Sequence, residues 1–91
     1  MTRKVHLVVS GLVQGVGFRM FIERSAKELH LAGWVRNLAD GTVEIEAEGP
    51  ESLIEELIKR AGTGPARAQV RGIRKRELPP GAPPEGFSVI F

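Results

Sequence analysis

The chain is expected to fold as an α+β sandwich, with two helices on one face of an antiparallel sheet. Three observations lead there. Short segments of alternating apolar residues occur near both ends and in the middle, and two longer segments repeat their apolar residues every three to four positions. The two kinds follow one another as strand, helix, strand, strand, helix, strand, with a short strand at the end. Ninety-one residues, 42% hydrophobic and 26% charged, suffice for one core, so residues 1–91 read as a single domain.

Val5, Leu7 and Val9 alternate with His6, Val8 and Ser10, which makes residues 4–10 a strand with one face on the core, ending at Gly11. From Phe18 the apolar residues Phe18, Phe21, Ile22, Ala26 and Leu29 form one stripe. Arg19, Glu23, Arg24, Lys27 and Glu28 fill the remaining positions, the pattern of an amphipathic helix that stops before Gly33. Trp34–Asn37 and Thr42–Glu48 are two strands joined by a turn containing Asp40-Gly41. Pro50, then Leu53, Ile54, Leu57, Ile58 and Ala61, mark a second helix closed by Gly62 and Gly64. A fourth strand runs from about Ala68 to Leu78. The prolines at 79, 80, 83 and 84 cannot donate to a ladder, so residues 78–84 are a loop, and Phe87, Val89 and Phe91 alternate as a last short strand. This is the split β-α-β order of ferredoxin-like sandwiches, in which strands one and three are neighbours at the centre. The face away from the helices is left to solvent or a partner, in keeping with Glu44, Glu46 and Glu48 in a row.

Composition narrows the function. A net charge of +2 is small for a nucleic-acid or membrane surface, whereas a pI near 9.5 suits a small anionic ligand; a monomer is expected. No apolar run is long enough to span a bilayer, and Met1-Thr2-Arg3-Lys4 leads into a strand rather than a signal-peptide core, so the cytoplasm is the expected compartment. With no cysteine there is no disulfide framework and no thiol nucleophile. Nine arginines against four lysines, with a single asparagine, is a bias shared with proteins that work at high temperature.

The chemistry follows from what is missing as much as from what is present. His6 and His30 are far apart and fit no metal-ligand spacing, Asp40 is the sole aspartate, and the glutamates lie on solvated faces. Ser10, Ser25, Ser52 and Ser88 have no adjacent base. Neither a metal, a cofactor nor covalent catalysis is expected. What remains is Gln14-Gly15-Val16-Gly17-Phe18-Arg19, a glycine-bearing turn between a strand and a helix entrance, together with Asn37. Glycines allow successive amides to converge on one point, a helix N-terminus favours negative charge, and a guanidinium is a fork of donors matched to phosphate. Such a set stabilises charge but holds no proton acceptor. It therefore suits a leaving group that departs without a proton, and the carboxylate of an acyl phosphate, with a pKa of about 4, is one.

Plainer readings exist for each residue. The glycines serve a tight turn in any case, Asn37 is a common turn former, Phe18, Phe21 and Trp34 read as packing, and Arg71, Arg74, Lys75 and Arg76 read as a solvated strand.

The run Val9-Ser10-Gly11-Leu12-Val13-Gln14-Gly15-Val16-Gly17-Phe18-Arg19-Met20-Phe21 resembles the signature of the acylphosphatase family. Gly33-Trp34-Val35-Arg36-Asn37, then Asp40-Gly41-Thr42-Val43, and Gly49-Pro50 strengthen the likeness, which covers most of the chain. The resemblance implies metal-free and cofactor-free hydrolysis of acyl phosphates to a carboxylate and inorganic phosphate. It also implies that Gln14, Gly15, Val16, Gly17 and Phe18 cradle the phosphate through main-chain amides, that Arg19 binds it, and that Asn37 orients the attacking water. The arginine-rich fourth strand, and Phe91 where some members have tyrosine, depart from the pattern outside the motif. Two other readings remain open. One is a non-catalytic anion-sensing module, since an acylphosphatase-like domain also fronts a hydrogenase-maturation carbamoyltransferase. The other is an RNA-recognition domain of the same element order, against which the central strands lack stacking aromatics.

Overall fold

Alternation along the strands sorts the side chains of the sheet into two sets. In the computed structural model, which describes residues 1–81 and 83–91, the elements are β1 (Thr2–Leu12), α1 (Phe18–Glu28), β2 (Ala32–Asn37), β3 (Val43–Pro50), α2 (Glu51–Thr63), β4 (Gln69–Leu78) and β5 (Phe87–Val89). The strand order is β4-β1-β3-β2-β5, with β1 and β3 adjacent at the centre as expected. Register makes the buried rows: Leu7 of β1 lies opposite Ile45 of β3, which lies opposite Val35 of β2, and all three are fully buried. Val5, Val9, Val43 and Ala47 extend this surface, and Phe18, Ile22 and Ala26 from α1 with Ile54, Leu57 and Ala61 from α2 close over it. Burying each such aliphatic side chain contributes about 1.5–3 kcal/mol, so this one layer carries the fold.

The sheet is mixed rather than wholly antiparallel, because β5 runs parallel to β2. The chain leaves β4 at one edge and reverses direction before reaching the opposite edge. Since β2 and β4 run in opposite senses, the reversed strand lies parallel to β2. Gly81 N–H donates to Glu48 Oε2 at 2.9 Å, which ties the proline-rich loop to the face away from the helices; its residue Ala82 lies outside the described residues. That face is less solvated than the glutamate row suggests. Glu48 is 4% exposed, and Glu44 sits between His6 Nε2 at 2.7 Å and Arg36 Nε at 2.6 Å. The carboxylates alternate as expected, but His6 and Arg36 engage Glu44 and Lys4 pairs with Glu46 across the strands, while Glu48 is held by the Gly81 amide.

Element ends also differ from the sequence pattern. β1 runs past Gly11 to Leu12, since β4 continues alongside it after a register shift at Ser10/Gly11. β2 starts at Ala32, β3 reaches Pro50, α2 continues through Gly62, and β5 stops at Val89. α1 ends at Glu28, well short of Gly33. Leu31 N–H reaches back to Ala26 O (2.9 Å) and His30 N–H to Lys27 O (3.1 Å), the bond pair of a Schellman cap. The left-handed residue that closes it is His30 (φ 56°) instead of a glycine. A side chain there costs about 1 kcal/mol, so His30→Gly is expected to raise the melting temperature by about 4–8 °C, read by thermal unfolding.

Candidate active site

β1 carries the chain out of the core and its continuation anchors the loop that follows: Val13 is 1% exposed and Val16 packs against the core edge. Gly15 (φ 74°) and Gly17 (φ 80°) are left-handed and flank Val16, whose φ is negative. Left-handed residues spaced in this way let successive N–H groups curl toward one side, and only glycine adopts that conformation without strain. An added Cβ at either glycine would meet open space, so it is conformation rather than crowding that demands them. Gly17 is also the N-cap of α1. It supplies no side-chain cap, and the first turn holds no acidic residue. Among the described residues, the backbone N–H groups of 15–20 have no acceptor within the protein; the first helical bond is Phe21 N–H to Gly17 O. Six free donors at a helix entrance form a positive pole.

Five of the six donor residues border a hollow of about 140 Å³ lined by Val13, Gly15, Gly17, Phe18, Arg19, Met20 and Asn37. At about 30 Å³ per water it has room for a tetrahedral oxyanion and a water. Arg19, on the first turn of α1, makes no ion pair among the described residues. Its guanidinium carbon lies 5.4 Å from the centre of the ring of Phe91, itself fully exposed. Asn37 ends β2, and its Oδ1 is buried with no hydrogen-bond partner. A buried carbonyl left unpaired costs about 1–3 kcal/mol.

The expected residues do not all act alike. Gly15, Gly17, Phe18, Arg19 and Asn37 come together at the hollow, whereas Gln14 and Val16 do not line it. The Gln14 side chain points to the β2–β3 turn, where Nε2 donates to Leu38 O (2.8 Å) and Thr42 O (2.9 Å). The turn is closed by Leu38 N–H to Thr42 O (2.9 Å), and Asp40 Oδ1 accepts from Thr42 N–H (3.0 Å). The Thr42 hydroxyl and amide hold the exposed Asp40 carboxyl below its ordinary pKa. Gln14 thus locks the loop to the strand end that carries Asn37, a role the sequence did not reveal because both acceptors are main-chain atoms. Gln14→Ala is expected to cost about 1–3 kcal/mol in denaturant unfolding, and Gln14→Glu more, since a carboxylate would face two carbonyls. Val13, Met20 and Phe91 are the other residues missed at the site. Met20 carried the one available signal, an apolar side chain off the helix's buried stripe, and it is 65% exposed.

Among the described residues, no three His, Cys, Asp or Glu side chains converge as metal ligands, and no helix is long and apolar enough to cross a membrane.

The family model described as Acylphosphatase matches residues 5–89. The chain belongs to the acylphosphatase family. As an acylphosphatase it is a hydrolase. It is similar to the acylphosphatase of Chlorobaculum tepidum, 53% identical over 76 residues that make up 84% of this chain and 83% of the relative. The acylphosphatase of Caldivirga maquilingensis is 48% identical, covering 97% of this chain and 94% of its own. The crystal structure of the Bacillus subtilis acylphosphatase superposes with a TM-score of 0.94 at 37% identity, over the whole of both chains. The ferredoxin-like fold expected from element order is the fold of these acylphosphatases.

Proposed function

We propose that this acylphosphatase hydrolyses acyl phosphates to a carboxylate and inorganic phosphate, using no metal or cofactor, with Arg19 and the 14–19 loop holding the phosphoryl group and Asn37 holding the water. The observation that carries the reading is the single hollow that unites free helix-entrance amides, an unpaired guanidinium and a buried, unpartnered amide oxygen.

The non-bridging oxygens of the substrate take the loop amides and the Arg19 fork, neutralising charge that spreads over them in the transition state. The Asn37 side-chain amide holds a water and aims its lone pair at phosphorus. As the water oxygen bonds to phosphorus, the bond to the acyl oxygen breaks and its electrons leave with the carboxylate. That group is a weak base, with a pKa of about 4, and needs no proton. The proton from the water passes to a phosphate oxygen, so no base is needed among the side chains. The protein is proposed to act as a monomer in the cytoplasm.

The test is hydrolysis of benzoyl phosphate by purified protein in the presence of a chelator, followed by loss of substrate absorbance. Turnover well above background is expected. Phosphate binding with no turnover would instead favour an anion-sensing module.

A further inference from the structure

On the far side of the sheet, cations are left over. Five other cations are neutralised at short range: Arg3 by Glu55 and Glu77, Lys4 by Glu46, Lys27 by Glu23, Arg36 by Glu44, Arg60 by Glu28 and Glu56; Arg19, Arg24, Lys59 and Arg67 make no ion pair among the described residues but are not clustered on one strand. Among the described residues, Arg71, Arg74, Lys75 and Arg76 of β4 make no ion pair, and the strand's one acid, Glu77, is taken by Arg3. Register sets Arg76 opposite His6 and Arg74 opposite Val8, on the face away from the helices, since the intervening Leu7 and Val9 are in the core. These residues, with Lys75, line a shallow cavity of about 430 Å³, about three times the hollow at the entrance of α1.

We propose that this cavity is a second anion site, separate from the catalytic hollow, that binds a compact polyphosphate group such as the triphosphate of a nucleotide or inorganic tripolyphosphate. Three charge arguments lead to that ligand class. A single exposed cation holds an anion weakly, so a useful site needs several cations on one multiply charged group; Arg74 and Arg76 supply two on one face, and Lys75, opposite Leu7, adds its charge from the strand edge. Same-face residues two apart on a strand stand about 6.6 Å apart, a span their side chains can close on linked phosphates. The nearby acids do not compete: burial pushes Glu44 up, but hydrogen bonds from His6 and Arg36 outweigh it and hold the carboxyl below its usual range, fully engaged. Asp40 lies near Arg74 and Glu55 near Lys75, but among the described residues Asp40 is bonded to Thr42 and Glu55 to Arg3, and neither makes an ion pair with β4.

The same map disfavours a nucleic-acid strand. A chain laid across the sheet would meet Glu44 and Glu46 at its middle; of the aromatic rings in β1, β2 and β3, Trp34 is already covered by the Arg36 guanidinium at 5.4 Å and His6 is bonded to Glu44. A short polyphosphate stays on the β1–β4 side and avoids both.

The experiment is an amide NMR titration of the intact protein with tripolyphosphate, ATP and a single-stranded oligonucleotide at physiological salt. Inorganic phosphate is present throughout to fill the catalytic hollow. Shifts at residues 6–8 and 73–77 with tripolyphosphate are expected. With ATP alike they point to the shared triphosphate, and a stronger response to one of the two identifies the source. Arg74→Ser/Arg76→Ser should weaken binding at least tenfold while benzoyl phosphate turnover, which reports an intact fold, stays unchanged. Shifts confined to residues 15–20, equal binding by the double variant, or no binding would overturn the proposal; the last would make β4 a charged edge that only resists strand pairing. Tighter binding of the oligonucleotide with a shift at the Trp34 indole would overturn it in favour of nucleic acid. Since tripolyphosphate binding is read without turnover, its failure is distinct from failure of the catalytic reading.

Discussion

Arg19→Ala is expected to lower kcat/KM for benzoyl phosphate by about a thousandfold or more, the range seen when a guanidinium that neutralises a transferring phosphoryl group is removed. The loss is large because nothing else in the hollow carries a full positive charge: its other lining residues offer amides, apolar surface and the neutral Asn37. Ground-state binding falls as well, so inorganic phosphate should compete far more weakly with substrate in the variant. Arg19→Lys keeps the charge but not the planar fork, and should recover phosphate competition better than turnover. An Arg19→Ala protein that hydrolyses benzoyl phosphate at the wild-type rate would show that the phosphoryl group sits elsewhere.

The second large effect is of a different kind. Asn37→Ala is expected to cut kcat by about a hundredfold, comparable to loss of one oriented transition-state group, with phosphate competition within a few-fold of wild type. Stability supplies an independent readout. Among the described residues Asn37 makes no side-chain hydrogen bond, and its buried Oδ1 is unsatisfied. Truncation therefore removes a burden rather than a contact, and the denaturant midpoint should hold or rise. A variant that is both active and less stable would reassign Asn37 to a packing role. Opposite signs for activity and stability are the mark of a side chain held for chemistry.

Much of this was legible from the residues alone. The alternation Val5, Leu7, Val9 and Val43, Ile45, Ala47 determined which face of each central strand is buried, because side-chain direction on a strand has a period of two whatever the rest of the chain does. The stripe Phe18, Ile22, Ala26 likewise named the buried side of α1 before any partner was known. The loop glycines were legible as backbone requirements, and Arg19 as a residue at a helix entrance. By contrast, the end of α1 at His30 was hidden, since a Schellman cap closed by a non-glycine leaves no mark in composition. The engagement of Glu44 by His6 was hidden too: the two are 38 positions apart and meet only through the β1–β3 register.

The sequence by itself determined element types, their order, the core faces and the chemical inventory of the site, all of which depend on local periodicity and residue type. Only the tertiary structure decided that Asn37 and Arg19 share one hollow, that Gln14 braces the turn instead of lining the site, that β5 runs parallel to β2, and that the β4 cations remain unpaired. Each of those depends on which distant strands pair and in what register. That choice is made by burying the whole apolar surface at once, so no single segment records it.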